Sequence, residues 1–248
     1  MPLDLEEIES SNIASSRTLF DDFTGVAGSD LTSEEVDILR PFAYTEMAFV
    51  EEDLLFKKVH DAWSLNADGL PIFPEEATKA VIYLIRNPLD VTVSYAFHSN
   101  KDFDEMLNIV NNESHSLCNA PGKLHNQLRQ IIYDWSGHVE SWVDRSGLPV
   151  LVIRYEDMSK DPFVEFRKAF DFIGLHINEK DLKQAIKNSE FHRISELEKQ
   201  SGFREKPLAM DSFFRSGNPG DWKNYLNKSQ ENKLIQKHRS MMARFGYL

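Results

Sequence analysis

Three segments carry residue types whose spacing suits chemistry on an anion. In Tyr83-Leu84-Ile85-Arg86-Asn87-Pro88-Leu89-Asp90-Val91-Thr92-Val93-Ser94, an apolar run ends at Ile85 and Arg86 follows it directly. Pro88 suits the first position of a helix, and Ser94 lies about two turns farther on. In open α/β sheets ligands bind beyond the carboxyl ends of the strands. An arginine at such a tip, with a hydroxyl on the following helix, is a two-pronged grip for an anion. The competing reading pairs Arg86 with Asp90 or another surface carboxylate. In Phe56-Lys57-Lys58-Val59-His60-Asp61-Ala62-Trp63, Lys58 and His60 share one face of a strand end by the period of two. A neutral imidazole there can take a proton from an acceptor hydroxyl, and an ammonium can steady charge on a leaving group. The competing reading is a hydrogen-bonded structural histidine, with Asp61 as an orienting partner or a turn residue. The third segment is Arg215-Ser216-Gly217-Asn218-Pro219-Gly220-Asp221-Trp222-Lys223-Asn224. Its two glycines permit positive φ and close approach of backbone to an anion, although such a loop also serves as an ordinary turn. The chain contains no Cys-x-x-Cys, Gly-x-Ser-x-Gly, Gly-x-Gly-x-x-Gly or metal-ligand spacing.

The elements that position these residues read as α/β. Leu54-Leu55-Phe56 with Val59, the run from Ala80 to Ile85, and Val150-Leu151-Val152-Ile153 predict buried strands. The last two are almost continuously apolar, which suits a parallel sheet covered on both faces. Leu124, Leu128, Ile131, Trp135, Val139 and Trp142 recur at helical spacing, as do Phe163, Phe166, Ala169, Phe170 and Ile173. The second helix is punctuated by Asp161-Pro162 at its start and Gly174 at its end. Residues 1–50 read as helical, with Thr32 and Glu35 forming a capping box. The polar stretch 100–122 reads as a mobile loop. No repeat or linker divides the chain, so residues 1–248 are expected to form a single domain.

Composition narrows the partners. Among 248 residues, 40 Asp and Glu against 28 Lys and Arg leave a net charge of −12. That surface repels nucleic acid and anionic membranes, so any bound anion must be held by a few local cations and backbone amides. Cys118 is the single cysteine, which excludes an intrachain disulfide and suits a reducing, cytoplasmic setting. The acidic start Met1-Pro2-Leu3-Asp4-Leu5-Glu6-Glu7 lacks the pattern of a signal peptide, and no apolar run approaches the ~20 residues of a membrane span.

Taken in this order, the segments resemble the cytosolic-type sulfotransferases that use 3′-phosphoadenosine 5′-phosphosulfate. Lys58-Val59-His60 is similar to their Lys-x-His strand end, and Arg86-Asn87-Pro88-Leu89-Asp90 with Ser94 to their 3′-phosphate motif. Arg154-Tyr155-Glu156-Asp157-Met158 is similar to their Tyr-Glu-Asp segment, and Arg215-Ser216-Gly217 through Gly220-Asp221-Trp222-Lys223 to their C-terminal signature. The resemblance covers about residues 54–245, and the closest match is to bacterial members acting on glycopeptide natural products. It implies a three-layer α/β fold of the P-loop NTPase type with a short parallel sheet. It also implies sulfuryl transfer to a hydroxyl or phenol of a small acceptor, without a metal. By the same resemblance His60 is the base and Lys58 stabilises the bridging oxygen. Arg86, Ser94, Arg215, Ser216 and Gly217 hold the 3′-phosphate, and Tyr155 and Phe191 flank adenine, Phe191 being otherwise a plain core residue. Two departures stand out. Ser216 replaces a basic residue, and nothing ahead of Lys57 matches the family's first strand and P-loop. Gly25-Val26-Ala27-Gly28-Ser29-Asp30 lacks a lysine and is no substitute. The expectation is therefore either a truncated enzyme with little activity or a non-catalytic nucleotide-binding remnant.

Overall fold

The computed structural model describes residues 13–50, 54–120, 122–206 and 210–248. In chain order the elements are α1 (Arg17–Thr24), α2 (Ser33–Val50), β1 (Val81–Ile85), α3 (Pro88–Ser99), α4 (Phe103–Val110), β2 (Ser116–Leu117), β3 (Gln130–Ile131), α5 (Trp135–Glu140), β4 (Val150–Arg154), α6 (Tyr155–Lys160), α7 (Pro162–Ile173), α8 (Glu179–Asn188), α9 (Phe191–Ser201) and α10 (Lys228–Arg244). They gather into two compact units. Among the described residues, one comprises those of 82–111 and 151–248, and the other those of 13–81 and 112–150.

The first unit is built on the short parallel β1–β4 sheet of an α/β fold. Both strands come from the apolar runs read in the sequence. Each leads within a few residues into a helix, so Arg86 and Tyr155 sit where the strands hand over. Asn87 caps α3 by accepting the Leu89 amide, and Pro88 occupies the first turn. Asp161 caps α7 at the Val164 amide, and Gly174 closes it in the left-handed region at φ 75°. Ile85, Leu89, Val93, Ala96 and Ile153 are buried along this seam.

The second unit packs α1 and α2 around Phe20, Val36, Ala43 and Leu128. Thr32 and Glu35 do form the expected capping box, with bonds in both directions. Beneath α2 lies a buried charge network. Arg40, 1% exposed, reaches Asp61 at 2.8 Å, Asp37 at 3.4 Å and the Tyr44 hydroxyl at 3.0 Å. Arg129 joins it through Asp37 at 2.5 Å. Burial disfavours the guanidinium, yet the carboxylates of Asp61 and Asp37 outweigh it and hold Arg40 firmly charged. Burial also pushes the Tyr44 phenol up to about 12.

Three expectations are corrected. Residues 54–59 form no strand: Leu54, Leu55 and Phe56 are exposed, and only Lys58 makes an isolated parallel bridge, to Ile13. The helix expected from Leu124 to Trp142 begins only at Trp135. Ahead of it the backbone is claimed by neighbours, since Leu128 donates to Ser15, Asn126 accepts from Arg17, and Ile131 accepts from Ala62. Tertiary pairing there overrides the helical periodicity. The stretch 100–122 is not a plain loop. Met106, Leu107 and Val110 bury one face of α4, and β2 pairs antiparallel with β3.

Candidate active site

In the first unit the structure brings four of the sequence-predicted residues together. The Arg86 guanidinium lies over the Tyr155 ring, 4.2 Å from its centroid. The Tyr155 hydroxyl donates to the Gly217 carbonyl at 2.6 Å, and Arg86 reaches the Asn218 carbonyl at 3.5 Å. Gly217, at φ 68°, packs so tightly on Phe191 that a Cβ would stand 2.5 Å from its ring. Phe191 opens α9 and is 37% exposed, so it is no core residue. A cation, two aromatic faces and a glycine-rich backbone thus converge at the ends of β1 and β4.

Two buried carboxylates bracket the loop that carries Gly217. Asp90 accepts the Gly220 amide at 2.8 Å and the Trp222 amide at 3.0 Å. Asp90 is therefore a loop anchor. Glu198 accepts the Phe213 amide at 2.6 Å, the Phe214 amide at 3.0 Å and the Ser212 hydroxyl at 2.9 Å. Burial pushes the Glu198 carboxyl up, but those three donors outweigh it and leave it below its ordinary value.

Arg215 and Ser216 form a separate group within this unit. Arg215 pairs with Asp221 at 2.8 Å, donates to the Tyr225 hydroxyl at 2.8 Å and lies 4.2 Å from the Phe97 ring centroid. Burial pushes the Asp221 carboxyl up, but Asn224, Arg215 and Ser216 outweigh it and leave it below its ordinary value. Ser94 is exposed on α3, about two turns beyond its start.

Lys58 and His60 belong to the second unit, and both are exposed. The backbone beside His60 is fixed at consecutive residues. The His60 carbonyl accepts His138 Nε2–H at 3.0 Å, and the Asp61 carbonyl accepts Trp142 Nε1–H at 2.8 Å. The Ala62 amide donates to Ile131 at 2.7 Å, and the Trp63 amide to Ser141 Oγ at 3.0 Å. Burial pushes the His138 imidazole down, favouring its neutral form, and a carbonyl partner requires the proton on Nε2. The Asp61 side chain is turned into the buried network with Arg40. Asp90 and Asp221 stand in the quoted motifs without the roles seen here, and Glu198 and His138 are not legible in sequence as parts of these groups, because their partners are backbone groups or residues far along the chain.

Residues 63–246 match the family model described as Sulfotransferase domain. The chain belongs to the sulfotransferase family. Curated relatives of the chain include sulfotransferase 2A6 of Rattus norvegicus, 28% identical over 83% of this chain and 71% of its own length. Another is sulfotransferase 1B1 of Canis lupus familiaris, 32% identical over 66% of this chain and 54% of its own length. The chain thus spans between about half and three quarters of those relatives. Among solved structures, mouse sulfotransferase SULT7A1 complexed with PAP superposes with a TM-score of 0.56 at 22% identity, over 79% of this chain and 68% of that one. Retinol dehydratase in a complex with retinol and PAP gives 0.58 at 20% identity, over 82% and 57%. These structures share the fold. Arg86, Tyr155, Phe191 and Gly217 lie inside the family-matched span, while Lys58 and His60 fall just ahead of it.

Proposed function

We propose that the protein transfers a sulfuryl group from 3′-phosphoadenosine 5′-phosphosulfate to a hydroxyl or phenol of a small acceptor. The observation that carries this reading is the convergence of Arg86, Tyr155, Gly217 and Phe191. Guanidinium, ring faces and open backbone are what a phosphorylated nucleoside needs: charge-assisted bonds for the phosphate and flat contact for the base. Arg86 is assigned to the 3′-phosphate, with Ser94, Arg215 and Ser216 supplying further donors. Tyr155 and Phe191 are assigned to adenine. Two solved relatives of the same fold carry PAP, and one carries retinol as well, which supports both halves of the reading.

When bound, the nucleotide supplies the sulfuryl group. His60 is assigned as the base that takes the acceptor proton at an imidazole nitrogen, and Lys58 as the cation that steadies the bridging oxygen. The pinned backbone from His60 to Trp63 supports this role, since a base on a rigid segment pays little to be oriented. Among the described residues no helix is long and apolar enough to cross a membrane.

The test is a radiolabelled sulfate-transfer assay against a panel of phenols, run beside calorimetric binding of 3′,5′-adenosine bisphosphate. His60→Ala is expected to lower turnover by about 10²–10⁴-fold while leaving nucleotide affinity unchanged. Absence of nucleotide binding by the unaltered chain would overturn the reading. Nucleotide binding with no transfer to any phenol would replace it with the non-catalytic remnant.

A further inference from the structure

Two consecutive residues at the start of α6 hold two consecutive residues at the tip of β1. The Tyr155 ring lies against the Arg86 guanidinium, and Glu156 Oε1 accepts the Asn87 amide at 3.0 Å. Asn87 is also the cap of α3, its side chain accepting the Leu89 amide. Glu156 therefore holds, from the backbone side, the joint at which Arg86 leaves the strand. Its other oxygen, Oε2, accepts the Tyr247 hydroxyl at 3.0 Å, so the carboxylate is fixed from both ends. Tyr247 is presented by the end of α10. Gly246 takes the left-handed conformation at φ 71°, its amide donates to Ala243, and the Tyr247 amide donates to Met242 at 2.8 Å. These two bonds close the helix as a Schellman turn, in which a glycine adopts the positive φ at least cost. The Arg154 guanidinium lies over the Tyr247 ring, 4.8 Å from its centroid, and donates to the Gly246 carbonyl at 3.3 Å. Burial, and then the Glu156 carboxylate, push the Tyr247 phenol well above its ordinary value, so the hydroxyl stays a donor.

An arginine binds an anion better the more its direction is set before the anion arrives. The stack on Tyr155 restrains the guanidinium, and the Glu156 bond restrains the backbone at its root. Both Glu156 oxygens are taken by donors of the chain itself, and a carboxylate repels a phosphate, so Glu156 is a support and not a ligand. We propose that Glu156 is a positioning residue for the Arg86 anion grip, and that Tyr247 braces it through the hydroxyl. This role rests on the reading of Arg86 as the ligand of the 3′-phosphate.

The experiment compares calorimetric binding of 3′,5′-adenosine bisphosphate with that of adenosine 5′-monophosphate, so that the ratio of the two affinities isolates the 3′-phosphate. It is run on the parent, Arg86→Ala, Glu156→Ala, Glu156→Gln, Tyr247→Phe and the double variant Arg86→Ala with Glu156→Ala, each checked by thermal unfolding. Glu156→Ala should lower the ratio by about 10-fold, as one charge-assisted bond allows, and leave the monophosphate affinity unchanged. Tyr247→Phe removes the hydroxyl and keeps the ring beside Arg154, so it decides the matter if Glu156→Ala unfolds. It should lower the ratio by about 2- to 5-fold. Glu156→Gln, whose amide oxygen still accepts from Asn87, should restore most of the ratio. The double variant should lose no more of the ratio than Arg86→Ala alone, because the two residues act as a unit. A purely structural role would lower the unfolding midpoint and weaken both nucleotides alike, and that outcome overturns the positioning role. An unchanged ratio in Glu156→Ala and Tyr247→Phe, where Arg86→Ala abolishes it, also overturns that role and leaves the nucleotide reading standing. A parent that binds both nucleotides equally, or neither, overturns the reading of Arg86 and the positioning role together.

Discussion

The guanidinium of Arg86 lies over the Tyr155 ring, 4.2 Å from its centroid, so the tips of two neighbouring strands share one cation. The stack orients the arginine before any anion arrives, and the Tyr155 hydroxyl extends the link to Gly217. A cation fixed in this way loses little freedom on binding, which is where most of the cost of holding a phosphate with a long side chain lies.

Arg86→Ala should therefore weaken binding of 3′,5′-adenosine bisphosphate by about 1.5–3 kcal/mol, the range for a charge-assisted contact. Isothermal titration on a variant with an unchanged unfolding midpoint is the measurement. An unchanged affinity removes Arg86 from the nucleotide site.

Glu198 predicts a pH dependence. Its folded pKa lies below the ordinary 4.5 because the Phe213 and Phe214 amides and the Ser212 hydroxyl outweigh burial. A depressed carboxyl contributes stability that is present above about pH 4.5 and is lost as pH falls through the lower folded pKa. Glu198→Gln should flatten the stability profile on the acid side of pH 4.5 relative to the parent. It should also speed hydrogen exchange at the Phe213 and Phe214 amides. Identical acid-side profiles would show that the carboxylate does not hold the loop.

Gly217→Ala meets two obstacles at once: a φ of 68° and a Phe191 ring 2.5 Å from the new Cβ. The left-handed backbone alone costs about 1–2 kcal/mol for a residue with a side chain. Displacement of Phe191 should add a loss of nucleotide affinity. Calorimetry and thermal melting together read both effects; wild-type values in each would mean the turn has room that the geometry denies.

Arg40 is the structural counterpart in the other unit. Arg40→Ala strands Asp61, itself 3% exposed, without its counter-charge. Removing one partner of a buried pair costs roughly 3–5 kcal/mol, so the midpoint should fall by on the order of 10 °C. Replacing both, Arg40→Met with Asp61→Leu, should recover much of the loss. A double variant no better than the single one would show that the wider network with Asp37 and Tyr44 matters more than the pair.

The amino-acid sequence alone determined the local parts of this protein. The apolar runs at 81–85 and 150–153 became strands because their β-branched residues favour extended backbone, but the expected cover on both faces is not there: only Ile85 and Ile153 are buried, and Leu84 is 62% exposed. Asn87, Pro88, Asp161 and Gly174 set helix ends because caps act within a turn of their own position. The order of motifs around Arg86, Tyr155 and Gly217 was enough to place the chain in its family. Only the tertiary structure decided the rest. The run 124–142 has a helical pattern, yet its first half pairs with residues 15–17 and 62 instead, a choice that long-range backbone bonds made. Asp90 reads as an ordinary helix-start acid, yet it anchors amides 130 and 132 positions away. Arg215 reads from sequence as a free cation, and its pairing with Asp221 and Tyr225 is visible only in the packed chain. Buried carboxylates such as Asp90 and Glu198 take their meaning from burial, and burial is a property of the packed chain that no single stretch of sequence encodes.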